Sequence, residues 1–181
     1  MSIKALSKPL MLSLALALGA AVPMALVGPG SAAAQDISRL GEYRDWRAFT
    51  YNEEGNRVCY MASEPTEDEG DYTRRGDIYA MVTHRPAQGT SDVVSFVIGY
   101  TSQEDSRVTV DIDGQEFTLF THNDTAWAPD AETDSALVAA MREGREMVVR
   151  GTSSRGTDTT DTYSLLGFTR AHNEINETCD M

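Results

Sequence analysis

Residues 107–121 read RVTVDIDGQEFTLFT, and this stretch decides the fold. Val108, Val110 and Ile112 alternate with polar residues, and Phe117 and Leu119 do so beyond Asp113-Gly114. Alternation at period two puts one row of side chains on one face of a strand. Asp-Gly suits the type I′ turn, which needs positive φ at both central positions and matches the twist of paired strands. The stretch is therefore a hairpin, Arg107 to Ile112 against Gln115 to Thr121.

Upstream, Asp45 to Tyr51 and Arg57 to Ala62 flank a polar turn at residues 52–56 and predict another hairpin. Residues 35–44 read as a polar lead-in, and 63–76 (SEPTEDEGDYTRRG) as an acidic loop without apolar periodicity. Ile78 to Arg85 resumes as a strand and stops at Pro86. Asp92 to Tyr100 is nearly continuous in apolar residues, the pattern of a strand buried on both faces.

Downstream, Ala126-Trp127 gives a short strand or core plug before Pro129. A helix follows, with Thr133 or Asp134 as cap, Leu137, Ala140 and Met141 on one face, and Gly144 as a left-handed stop. Glu146 to Gly151 and Thr160 to Leu166 supply the last strands. Phe168 to Cys179 sets Phe168, Ala171, Ile175 and Cys179 near one helical face. The expectation is a mainly β chain with about eight or nine strands in hairpin order and one or two short helices. Such a chain forms an antiparallel β-sandwich or barrel-like domain.

Lys4 and Lys8 precede an apolar run from Leu10 to Val27, which leads to Ala32-Ala33-Ala34 and then polar Gln35-Asp36. This order predicts a cleaved signal peptide over residues 1–34 and one exported domain over 35–181, periplasmic or secreted. Pro23, Gly28, Pro29 and Gly30 oppose a continuous spanning helix, so no stable membrane insertion is expected after cleavage. Of fifteen basic residues the two lysines fall in this leader. The rest carries thirteen arginines against twenty-eight acids, a formal charge of −15. A surface so negative repels phosphate backbones, which excludes nucleic acid as the expected partner. The lack of lysine fits either a saline habitat or an arginine-rich codon bias. Cys59 and Cys179 are the only cysteines, and an even pair in an oxidising compartment predicts one disulfide across 120 positions.

Chemistry is sparse. His84, His122 and His172 stand at no metal-ligand spacing, and His84 and His122 read as strand-end or loop residues. No serine occupies a Gly-x-Ser-x-Gly elbow. Asp111-Ile-Asp-Gly lacks the spacing of a calcium loop. No catalytic, cofactor or metal residue is assigned, and no enzyme activity is expected. The alternative is a hydrolase whose site assembles from distant residues. Arg75-Gly76-Asp77 matches the integrin-recognition tripeptide, and an adhesin reading requires it on an exposed loop tip.

Residues 151–162, GTSSRGTDTTDT, are dense in hydroxyls and turn formers around one arginine. They read structurally as a hairpin connection bonded to its own backbone. Functionally, Ser154, Arg155, Gly156 and Thr157 form a candidate rim for a polar ligand or partner, with Arg155 able to clamp a carboxylate.

Ser154-Arg155-Gly156-Thr157, Asp161-Thr162-Tyr163-Ser164-Leu165, Gly167-Phe168-Thr169, Ala171 and Cys179 together resemble the invasion-associated locus B family. Trp46, Cys59-Tyr60, Val82-Thr83-His84-Arg85-Pro86, Gly99-Tyr100, Ala126-Trp127 and Ala139-Ala140-Met141 agree. The resemblance covers about Trp46 to Cys179. It implies an exported bacterial envelope protein. The leader, the cysteine pair, the β-rich pattern and the missing catalytic constellation add the expectation of a non-enzymatic interaction module, with an envelope or extracellular protein or polar ligand as partner. The resemblance supplies no catalytic residues.

Overall fold

A computed structural model describes residues 36–181; the expected signal peptide lies outside the described residues. The strands are β1 (Ser38–Tyr43), β2 (Trp46–Glu53), β3 (Asn56–Ser63), β4 (Glu67–Gly70), β5 (Tyr79–Arg85) and β6 (Thr90–Val97). They continue as β7 (Arg107–Ile112), β8 (Gln115–His122), β9 (Thr125–Trp127), β10 (Glu146–Thr152) and β11 (Asp158–Ser164). Two helices join them, α1 (Ala131–Glu143) and α2 (Phe168–Cys179). All eleven strands form one antiparallel sheet in the order β1-β2-β3-β5-β6-β9-β8-β7-β10-β11-β4. The edges β1 and β4 do not pair with each other, so the sheet stays open and fits a sandwich-like domain.

The hairpin at Asp113-Gly114 forms in the expected register, with φ of 48° and 96° at the two turn residues. Asp111 Oδ1 accepts from the Gly114 N–H, and Asp113 Oδ2 from the Arg145 N–H. These carboxylates serve the turn. Val108, Val110, Ile112 and Leu119 enter one core with Met61, Val82, Phe96, Met147 and Tyr163. Trp46 closes that core. It is fully buried, donates from Nε1 to Ser164 O at 3.0 Å and meets Phe168 edge-on at 5.0 Å. One side chain thereby ties the second strand to the last strand and the last helix.

Several expectations change. Residues 35–44 are more than a lead-in, because they contain β1. A bulge between Arg39 and Gly41 breaks the alternation, yet Leu40 and Tyr43 still pack on the core. The acidic 63–76 loop contains β4, paired to β11, with all four residues exposed. An edge strand solvated on both faces has no apolar pattern to read. The cap of α1 is Asp130, whose carboxylate accepts from Thr133 N at 2.8 Å. Asp134 is instead buried and accepts from the Val94 N–H at 2.8 Å, with burial pushing its carboxyl up. Gly144 is extended, at φ −78° and ψ 169°, not left-handed. A Cβ there would stand 2.7 Å from the Ile112 side chain and 3.0 Å from that of Leu165, so close packing requires the glycine.

The amphipathic reading of the tail holds. Phe168, Ala171, Ile175 and Cys179 are all buried, and α2 packs on β1, β2, β3 and β5. Cys59 and Cys179 are bridged, with Cα atoms 6.1 Å apart. The bond fastens the end of α2 to β3. No described helix is long and apolar enough to cross a membrane.

Candidate functional site

The residues singled out at 154–157 lie on the β10–β11 connection. Ser153 organises it: its N–H donates to Thr157 O, and its Oγ accepts from the Thr157 N–H at 3.1 Å. Gly156 takes φ 80°, and its N–H returns to Ser153 O at 2.8 Å. The structural reading holds for residues 153–157, where backbone and hydroxyl groups bond within the turn, while 151–152 and 158–162 belong to β10 and β11. The Ser154 N–H donates to Thr101 O and the Gln103 N–H to Thr152 O, which fixes the turn against the segment following β6.

That docking creates a groove of about 660 Å³ between segments 71–76, 99–101 and 153–159. Ser154, Arg155 and Thr157 line it; Gly156 shapes the turn and is not part of the lining. Arg74 faces Arg155's groove from the opposite segment. Among the described residues, neither arginine has a carboxylate within ion-pairing distance. Asp71, Tyr72, Tyr100 and Thr159 also line it, and the Tyr100 and Thr159 hydroxyls bond at 2.7 Å.

Beneath this wall lies a buried ion pair. Arg75 donates from both terminal nitrogens to the two oxygens of Asp161, each at 2.6 Å, and from Nε to Ile98 O at 2.9 Å. The side chains are 4% and 2% exposed. The guanidinium carbon sits 5.5 Å from the Tyr72 ring centre and 5.2 Å from that of Tyr100. Planar stacking and forked donation suit arginine and not lysine. Burial pushes the Asp161 carboxyl up, and the facing Arg75 opposes that shift. The adhesin reading of Arg75-Gly76-Asp77 fails here, because the arginine is committed to the interior. Gly76 crosses Gly99 closely, its N–H donating to Gly99 O at 2.8 Å.

A second polar constellation was invisible in the spacing. His84 is fully buried and lies under α2, which corrects its reading as a strand-end surface residue. The Asp92 N–H donates to His84 Nδ1 at 3.0 Å, so Nε2 carries the proton and donates to Asn176 Oδ1 at 2.7 Å. Arg142 Nη1 donates to His172 Nδ1 at 2.8 Å, so His172 Nε2–H donates to Asp92 Oδ1 at 2.7 Å. Burial pulls His84 down from 6.5, and the His172 hydrogen bond pulls Asp92 down from 3.8. His84, Asp92 and His172 stand close enough to suggest a metal site. Yet a proton donor faces each Nδ1, which fixes the proton on each Nε2, so neither lone pair is free. The cluster holds α2 to β5, β6 and α1. His122 is exposed at the end of β8, as expected.

Fold and site define an open antiparallel β domain, its last helix stapled by a disulfide, with a polar arginine-bearing groove at one hairpin connection. Over residues 46–176 the sequence matches the family described as Invasion associated locus B (IalB) protein, and the chain belongs to that family. The crystal structure of invasion associated protein b from Bartonella henselae is similar in fold, with a TM-score of 0.56 at 19% identity. The alignment covers 77% of this chain and 96% of that one. No curated protein matches this chain significantly.

Proposed function

We propose that this is an exported envelope protein that binds a carboxylate-bearing polar ligand or partner in the groove and catalyses no reaction. The observation that carries the reading is the pair Arg74 and Arg155, unpaired guanidinium groups on facing walls of a groove in a chain of net charge −13. Asp71 also lines the groove, yet neither arginine is ion-paired to it. Cations left out of ion pairs on so acidic a surface are suited to a ligand that brings its own carboxylate. Hydroxyls of Ser154 and Thr157 add neutral hydrogen bonds at the rim. The groove lining offers guanidinium, hydroxyl and phenol groups, one carboxylate at Asp71 and no imidazole, which supports binding over nucleophilic catalysis. Export is supported by the leader sequence and by a bridge that persists in oxidising compartments.

The test is fractionation of the expressing cells followed by capture from envelope extract with the disulfide intact. One reproducible ligand or partner is expected, and its retention by Arg74→Met/Arg155→Met should fall about ten- to a hundredfold, the worth of one or two charge-assisted hydrogen bonds. Undiminished capture by the double variant would remove the groove from the account.

A further inference from the structure

Among the described residues, one side of β1, β2, β3 and β5 is bare. α2 covers β1, β2, β3 and β5 from within. The opposite side of these strands carries Phe49, Tyr51, Tyr60, Tyr79 and Met81, all half-buried. Register sets Phe49 opposite Tyr60 and Ala62 opposite Met81, so the residues form one continuous band. A hollow of about 280 Å³ runs along it, and a second hollow sharing Tyr60 and Met81 is bordered by Ile37, which is 54% exposed. Contiguous apolar bands of this kind mark contact surfaces.

Two observations select the occupant. First, Phe49 and Tyr60 stack at 5.0 Å and 17°, and Tyr51 meets Tyr60 edge-on at 5.9 Å. Each stacked ring gives one face to the other, and Tyr60 also meets Tyr51, so the three rings form a mutually packed cluster of the kind that interdigitates with side chains of a second sheet. Second, the band is bordered by the ion pairs Arg39–Glu42, Arg47–Glu64 and Arg85–Glu53. Among the described residues these are all the Arg–carboxylate pairs outside the interior. Their charges cancel, on a chain whose net charge is −13. Two copies of this face therefore meet without the repulsion that the rest of the surface would bring. Each end of the band also offers both an arginine and a glutamate to its mate.

We infer that this face is a two-fold, sheet-on-sheet contact between two copies of the chain. Phe49 and Tyr60 sit at its centre, with the Arg47–Glu64 and Arg85–Glu53 pairs at its rim. An isologous contact needs a self-complementary patch, and a neutral rim with both signs at each end supplies one. The face shares no lining residue with the polar groove.

Sedimentation velocity on the exported protein tests this. A dimer at micromolar concentration that dissociates on dilution is expected, and Tyr60→Arg should weaken it at least tenfold. Since an arginine on the sheet can also disturb folding, a charge pair provides the second arm. Arg85→Glu should weaken the dimer, and Arg85→Glu with Glu53→Arg should restore it. Leu166→Arg, at a residue 61% exposed elsewhere on the chain, should change nothing. A monomer at every concentration would overturn the inference, as would a dimer indifferent to both arms. A monomer whose band tyrosines are protected from radical labelling only in envelope extract would assign the face to a different protein and overturn it equally.

Discussion

Asp161→Asn is the most informative single change beneath the groove. It keeps the shape of the side chain and removes its charge, leaving Arg75 one neutral amide oxygen and a repelling NH2 where two carboxylate oxygens stood, besides Ile98 O and two aromatic rings. With both side chains nearly inaccessible, the loss resembles the breaking of other buried pairs by one partner, about 3–5 kcal/mol. The rings retain part of the cation's stabilisation, about 2 kcal/mol when desolvated, so the lower end is expected. For a domain this size 1 kcal/mol shifts Tm by roughly 3 °C, and the midpoint should fall by roughly 9 °C. Arg75→Met with Asp161→Leu removes both charges together. That double variant should lie within about 1–2 kcal/mol of the parent and above Asp161→Asn, because no uncompensated charge remains. Thermal and urea unfolding followed by circular dichroism measure the cycle. A cost below about 1 kcal/mol for Asp161→Asn, or a double variant no more stable than the single, would refute the buried-pair reasoning.

Three further outcomes are expected. The chain-entropy model gives the Cys59–Cys179 bridge, across 120 positions, at most about 5 kcal/mol, so reduction should lower Tm by up to roughly 15 °C. A midpoint unmoved by reductant would contradict a stabilising role. On acidification the unfolded chain takes up a proton at His84 near 6.5, whereas the folded chain does so only at lower pH. Stability should therefore be complete above about pH 7 and decline as pH falls through 6.5, with a further loss below 3.8 as Asp92 protonates. Urea midpoints measured from pH 8 to about pH 5 check the first step; a flat profile would sink it. Gly114→Ala places a side chain at φ 96° with open space around it, so only backbone strain of about 1–2 kcal/mol is expected. An unchanged urea midpoint would argue against the type I′ turn.

How far the fold could be read depended on where side chains face. The hairpin at Asp113-Gly114, the Trp46 and Cys59 strands and the Phe168–Cys179 helix announce themselves because each buries one regular face. β1 and β4 stayed hidden for opposite reasons, a bulge in one and complete solvation of the other. At the site, Ser154, Arg155 and Thr157 stood out because their local composition was unusual. Arg74, Tyr72 and Tyr100 did not, since only the crossing of Gly76 and Gly99 brings their segments to the same groove. Arg75 and Asp161 are 86 positions apart, and His172 and Asp92 are 80 apart. Pairs so distant leave no trace in spacing. The integrin-like tripeptide shows the converse failure, where a local motif suggested exposure and the fold buried its arginine.

The central claim is that the groove between segments 71–76, 99–101 and 153–159 binds carboxylates through Arg74 and Arg155. Titration of the isotope-labelled protein with soluble sugar acids, and with the matching neutral sugars as controls, tests it by amide chemical-shift mapping. Shifts confined to residues such as Arg74, Gly76, Tyr100, Ser154 and Arg155 are predicted for the acids alone, and Arg74→Met/Arg155→Met should abolish them. Equal shifts with the neutral sugars, or shifts that survive in the double variant, would contradict the account.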